Sequence, residues 1–364
     1  MARLSGSLHA LLLFDVCEEI RLDEARELLG AERSGGRPEF RGPVPEYVRF
    51  ARPPVVRPVA AIEIGPGETW SAAVRVYEYG VISLALELPF EGDWSELVRL
   101  ASRWIGSAEL ERRAAEIVRE QTGRIGRALV NPYPRHTTED YYVVHLRRAY
   151  GDDNSAVPAS TMIAERGGEI AQIVRGEAVP LSDNEIAEVL REWVSYYPSD
   201  LLVVAWMAAF VYDTAEGAAP ILELLEYANT ELIEFRYYDD LLTRVLAGVY
   251  RSLERRRSLW RRWRMATEAE GLNRIRVDVI ELTERLDNSI KFLSDMFYAR
   301  AYRVMTRRIG VNDYRDLVDD KLRIAGDLYQ SMIEEFHQGR AFLLEVMVVA
   351  ILIIELVFLF RGHS

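Results

Sequence analysis

Cysteine and lysine are nearly missing from this chain. Of 364 residues only Cys17 is a cysteine, and only Lys291 and Lys321 among the 45 basic residues are lysines. One thiol excludes an intrachain disulfide and suits a reducing compartment. The arginine bias fits a GC-rich genome better than a function. A surplus of positive charge is also missing. Fifty-seven acids against 45 bases leave a net charge of −12, which argues against a general nucleic-acid binder while leaving local basic patches open.

Catalytic signatures are missing too. Ile64-Gly65-Pro66-Gly67-Glu68 looks like a phosphate loop, but it lacks the Lys-Ser/Thr of a P-loop and the third glycine of a dinucleotide fingerprint. Its proline also removes a donor amide, so a turn is the better reading. No serine stands in a nucleophile-elbow context. His136, Glu139, Asp140 and His145 are of metal-ligand type, but no two have a recognised metal spacing and no cysteine is near. The expectation is therefore no catalytic residue, no cofactor, no metal and no enzyme. The N-terminus resembles a signal sequence only in outline. Its apolar run, residues 8–14, is short and interrupted by His9, and Asp15, Glu18 and Glu19 follow at once. A buried first strand is the better reading.

What the chain does have is one long apolar run, residues 342–360 (FLLEVMVVAILIIELVFLF), in which only Glu345 and Glu355 are not apolar. As a helix it would rise about 28 Å, close to a bilayer core. Fifteen of the 19 residues are Leu, Ile, Val or Phe. At roughly −0.3 to −0.6 kcal/mol each near mid-membrane, they outweigh one carboxylate costing about 3 kcal/mol. The run predicts a transmembrane tail anchor. Glu345 and Glu355, about 80° apart around the helix, are its candidate intramembrane contacts.

The remainder reads as α+β and then helical. Residues 8–16 read as a strand and 22–29 as a helix stopped by Gly30. Strands follow at 59–64, 70–77 and 81–88, the last two joined through Tyr79-Gly80. Residues 94–105 and 109–129 read as helices, Asn131-Pro132-Tyr133-Pro134 as a chain break, and 140–146 as a strand. This order suggests a ferredoxin-like open sandwich. Residues 161–174 and 185–196 read as helices, the second started by Ser182 with Glu185 three residues on. Residues 201–212 read as one strand or a buried helix. Beyond 218 the pattern is helical and coiled-coil-like, including 275–308 and a last helix from 314 to 360. The expected domains are a cytoplasmic α+β domain at 1–213, a helical module at 214–341 and the anchor at 342–360.

Two segments resemble the required-for-meiotic-nuclear-division family of membrane proteins. One is Lys321-Leu322-Arg323-Ile324-Ala325-Gly326-Asp327-Leu328-Tyr329, leading to Leu344-Glu345 and Ile354-Glu355. The other is Tyr79-Gly80-Val81 together with residues 8–29. The resemblance implies a membrane-tethered, oligomeric protein with no established catalysis; mitochondrial members are linked to translation at the membrane.

The densest basic patch is Arg255, Arg256, Arg257, Trp260, Arg261, Arg262, Trp263 and Arg264. It reads either as a site for anionic lipid, RNA phosphate or an acidic partner, or as the solvated face of a core helix whose apolar stripe holds the tryptophans. Residues 229–240 (NTELIEFRYYDD) read as a groove or an internal hydrogen-bond network, with Asn229, Glu234 and Arg236 its expected members. The functional expectation is a membrane-tethered scaffold, single-pass with its bulk in the cytoplasm, working through self-association and a protein partner. The alternative is a membrane tether for RNA or ribosomes through the arginine patch.

Overall fold

The computed structural model describes residues 3–31, 48–50, 53–65, 67–147, 156–254, 271, 273–280, 283, 290–292 and 296–361. Two compact units emerge. The first comprises Met1–Tyr237 and Glu284–Tyr314, the second Tyr238–Thr283 and Arg315–Ser364.

The first unit is built on an eight-stranded mixed sheet, wider than a ferredoxin-like core. Its strands are β1 (Leu4–Ile20), β3 (Val55–Glu63), β4 (Thr69–Val76), β5 (Val81–Gly92), β6 (Leu129–Arg147), β7 (Trp193–Val194), β8 (Leu201–Val204) and β9 (Ala208–Asp213), in the order β3-β4-β5-β1-β6-β9-β8-β7. The short strand β2 (Val48–Phe50) pairs separately with β10 (Ile290–Phe292). β1 lies between β5 and β6, antiparallel to both, and β6 pairs with β9 in parallel.

Alternation along the strands sorts two faces. Leu8, Ala10, Leu12 and Phe14 of β1 join Trp70, Val74, Leu84, Leu86, Tyr142, Val144 and Phe210 in one apolar core. Helices α2 (Trp94–Trp104), α3 (Ala108–Arg124) and α4 (Ala159–Arg175) supply its cover through Leu97, Trp104, Leu110, Val118, Ile170 and Ile173. Trp70 and Trp104 meet edge to face at 5.4 Å, a geometry worth about 1 kcal/mol beyond its burial. The opposite face carries Ser7, His9 and Asp15 on β1, Arg75 on β4, Ser83 on β5, and Glu139 and His145 on β6.

Close packing demands glycine at two points. A Cβ at Gly6 would lie 2.1 Å from the His145 carbonyl oxygen across the β1–β6 ladder. One at Gly80 would lie 1.7 Å from the Cys17 carbonyl, and its φ of 98° is left-handed. Gly80 is the turn expected between β4 and β5. The helix α1 (Leu22–Leu29) ends on left-handed Gly30 as expected.

Four local expectations need correcting. Asn131-Pro132-Tyr133-Pro134 does not break the chain, because β6 runs through it. Only β1 pairs with this part of β6, since the β9 ladder begins at Tyr142, so each proline can turn its missing N–H toward the open edge. Residues 201–212 form two strands, β8 and β9, turned at Ala205, where Ala205 N–H donates to the Ala208 carbonyl at 2.9 Å. Exposed Trp206 and Met207 occupy that turn and disguised it as apolar strand. Helix α5 (Asp183–Val189) stops short of 196. Its final carbonyls, Glu188 and Val189, accept from the Arg308 guanidinium at 3.2 and 3.3 Å, and the chain then joins the sheet as β7. The stretch 275–308, read as one helix, contains β10 before α7 (Met296–Ile309) begins.

Helix α6 (Ala215–Glu254) starts in the first unit and continues into the second. Thr214 caps it, accepting from the Gly217 N–H at 3.1 Å. Gly310, with φ of 94°, separates α7 from α8 (Val311–Arg361). Within the second unit, Leu246 and Val249 of α6 bury against Ala325 of α8, joined by Val245, Leu328 and Tyr329. Lys321 Nζ lies 2.6 Å from Asp239 Oδ1 on the same helix pair.

Candidate functional site

Two features of the molecule depart from ordinary packing. The first is a buried polar layer between the sheet and α6. In α6, Glu226, Thr230 and Glu234 recur every four residues and so share one helical face. All three are almost fully buried. Glu226 pairs with Arg75 of β4. Thr230 donates its hydroxyl to the Tyr227 carbonyl at 2.7 Å, so its oxygen is left to accept from the Tyr79 hydroxyl, also at 2.7 Å. Tyr79 also meets Tyr227 edge to face at 6.3 Å. Two residues beyond Glu234, Arg236 pairs with Glu139 of β6.

Glu234 and Asp15 differ from these pairs. Both Asp15 oxygens and Glu234 Oε1 are buried with no hydrogen-bond partner among the described residues. Burial pushes both carboxyls well above the usual range, and the Asp15 charge raises Glu234 further. Two neighbouring acids in such a site favour their protonated forms, because neither charge is solvated and the two repel. Cys17, in the same region, has its thiol pushed up to about 12, chiefly by burial. It is an inert core thiol rather than a nucleophile. On the other part of the face, His9 is pushed down to about 3 by burial and by neighbouring His145, and His145 is itself lowered by burial. Ser7 Oγ lies 2.9 Å from His9 Nε2. A histidine held neutral this far below its ordinary range is a weak base.

The second feature is the end of α8. From 345 to 357 every residue is exposed, and apart from Glu345 and Glu355 all are apolar. Val346, Met347, Ile351, Ile353 and Leu356 are each about half exposed or more. Glu345 and Glu355 are exposed on the same segment. The expected transmembrane tail anchor must be corrected here. Among the described residues no helix is long and apolar enough to cross a membrane. Among the described residues α6 and α8 meet at Ala325 and through Lys321 with Asp239.

The basic patch, Arg255, Arg256, Arg257, Trp260, Arg261, Arg262, Trp263 and Arg264, lies outside the described residues. Asn229, Glu234 and Arg236 all fall on the α6 segment that faces the sheet. Asn229 donates within its own helix to the Leu225 carbonyl at 2.7 Å, while Arg236 links helix to sheet. Sequence reasoning missed Asp15, Arg75, Tyr79 and Glu226. The signal was present as polar residues at alternate strand positions, opposite a four-residue polar repeat in α6. Among the described residues no group of three His, Cys, Asp or Glu side chains is placed to hold a metal ion.

Comparison with known proteins replaces the family suggested by the sequence. A family model described as the N-terminal domain of the uncharacterised protein MJ0711 matches residues 5–219. The uncharacterised protein MJ0711 of Methanocaldococcus jannaschii is 19% identical over 219 residues, 59% of this chain and 64% of its own length. The chain thus spans less than two thirds of that relative. No solved structure matches. The resemblance to the required-for-meiotic-nuclear-division family is overturned by this match, and with it the membrane-family vocabulary it carried.

Proposed function

Since the chain belongs to the family defined by the N-terminal domain of the uncharacterised protein MJ0711, we propose a function from its own surface: a scaffold held at a lipid bilayer by the apolar end of α8. The observation that supports this is the density of exposed apolar side chains over residues 346–357, interrupted only by Glu355. A single partner helix or groove covers one apolar stripe, whereas a lipid surface together with neighbouring copies of the segment covers more of its circumference. Ten large apolar side chains there stand about half exposed. Burying the rest is worth roughly 1 kcal/mol each, on the order of 10 kcal/mol together. The carboxylates of Glu345 and Glu355 tune depth or meet a neighbouring copy. The first unit then works in the aqueous phase on the reducing, cytoplasmic side, in keeping with the single cysteine. Its role there is to gather copies of the chain and a protein partner.

The test is flotation with lipid vesicles of the intact protein and of a version ending at Arg340. The intact chain is expected to float and to crosslink to itself, and the shortened one to stay in the dense fraction. Intact protein that remains monodisperse in the dense fraction, with and without vesicles, would sink the proposal.

A further inference from the structure

A cleft of about 270 Å³ opens in the first unit where the segment after β7 meets the start of α6 and the start of α7. Its walls are aromatic and acidic. Tyr196 and Tyr197 meet edge to face at 4.7 Å, and Tyr196 meets Phe297 at 5.0 Å in the same manner. Tyr298 continues the aromatic wall, 5.3 Å from Phe297. Two carboxylates, Asp200 and Asp213, complete the lining, which among the described residues holds no Lys, Arg or His.

The acids are built in rather than incidental. Asp200 is almost fully buried and accepts the Tyr196 and Tyr197 amides at 2.8 and 2.7 Å, which holds both rings in place. Its carboxylate retains lone pairs for a further donor. Asp213 accepts the Thr214 amide at 2.7 Å, and Gly217 makes the space it occupies, since a Cβ there would lie 2.2 Å from Asp213 Oδ2. Phe297 already receives a cation on the rim, where the Arg300 guanidinium stands 5.8 Å from its ring centre. Arg300 is tied there to the Ser195 carbonyl at 3.3 Å.

We propose that this cleft binds a small organic ammonium ion, its charge set against the rings of Tyr196, Tyr197 and Phe297 and balanced by Asp200. Aromatic faces attract cations through the ring quadrupole, and a quaternary head, too weakly hydrated to prefer water, is the ammonium type that such a box selects. The small volume restricts the ligand to a head group with a short tail. This site lies wholly within the first unit and stands independently of the lipid proposal.

The probe is choline, with its uncharged isostere 3,3-dimethylbutan-1-ol as the control and acetate as the opposite charge. Tyrosine and phenylalanine resonances, or calorimetry, report binding to the full-length protein. Choline is expected to saturate, the isostere to bind at least about ten-fold more weakly, and acetate not to bind. Phe297→Leu is expected to weaken choline about three- to thirty-fold, and Asp200→Asn to weaken it as well. Competition by phosphatidylcholine vesicles would place the head group on a lipid, and no competition would place it on a free amine; both keep the ammonium chemistry. Equal binding of choline and its isostere, binding of acetate, or no saturable response to choline overturns the proposal. The parent protein with the three probes decides this even if a variant fails to fold.

Discussion

Replacing Asp15 and Glu234 by their amides should remove a loss of stability with rising pH that the wild-type chain carries. Both carboxyls are buried and pushed up, so the folded chain holds protons that the unfolded chain releases at about pH 4. Their contribution is complete below that pH and is lost as pH rises toward the folded values. Each proton held only in the folded state costs about 1.4 kcal/mol per pH unit over that window. His9 and His145 act in the opposite sense, because both are pushed down. Their contribution is present above about pH 6.5 and lost as pH falls, so the two trends oppose one another between about pH 4 and 6.5. Cys17, pushed up to about 12, adds its own loss only above about pH 8.5. The histidine trend is common to the wild type and the double variant and cancels in their difference. Urea unfolding from about pH 4 upward is expected to show wild-type stability falling relative to Asp15→Asn/Glu234→Gln, by up to about 1.4 kcal/mol per pH unit for each retained proton, until the folded carboxyls release theirs. Glu223, raised by burial, accounts for any residual slope. A double variant with the wild-type slope, or a wild type that gains stability relative to it as pH rises, would refute the reasoning.

Arg75→Ala leaves Glu226 buried without its cation and should cost about 2–4 kcal/mol in the same unfolding assay. Thr230→Val should cost about 1–3 kcal/mol by stranding the Tyr79 hydroxyl; adding Tyr79→Phe should cost less than the sum of the single changes, which a double-mutant cycle measures. Gly80→Ala sets a Cβ against the Cys17 carbonyl at a left-handed φ and should lower stability by at least about 2 kcal/mol, read from the shift in the urea midpoint. Placing lysines at Val349 and Ile353, both about half exposed, should abolish vesicle flotation without changing the unfolding midpoint of the first unit.

Much of the sheet was legible along the chain. The apolar run of β1, the alternation of β4 and the returning strand β5 were read from neighbouring residues, and the glycines at 30, 80 and 310 each meet a local backbone requirement. The Ser182 cap was legible for the same reason, and its oxygen does accept the Glu185 amide at 3.3 Å. The extent of β6, the end of α5 and the β8–β9 turn were not. Each depends on a partner distant in sequence: the open edge beside Pro132 and Pro134, Arg308 on the α5 carbonyls, and the β9 ladder. The terminal apolar run was legible as composition, whereas among the described residues no helix is long and apolar enough to cross a membrane.

Sequence alone determined the strands whose side chains alternate and the turns that only glycine can make, because those are properties of neighbouring residues. It also determined that the closing segment is apolar apart from Glu345 and Glu355. Tertiary structure decided which polar residues meet. Asp15 and Glu234 are 219 positions apart in sequence, and nothing near either one announces the other. They become a coupled pair only when α6 lies on the sheet and removes both from water, and the aromatic cleft likewise exists only once Tyr196, Asp213 and Phe297 are folded together.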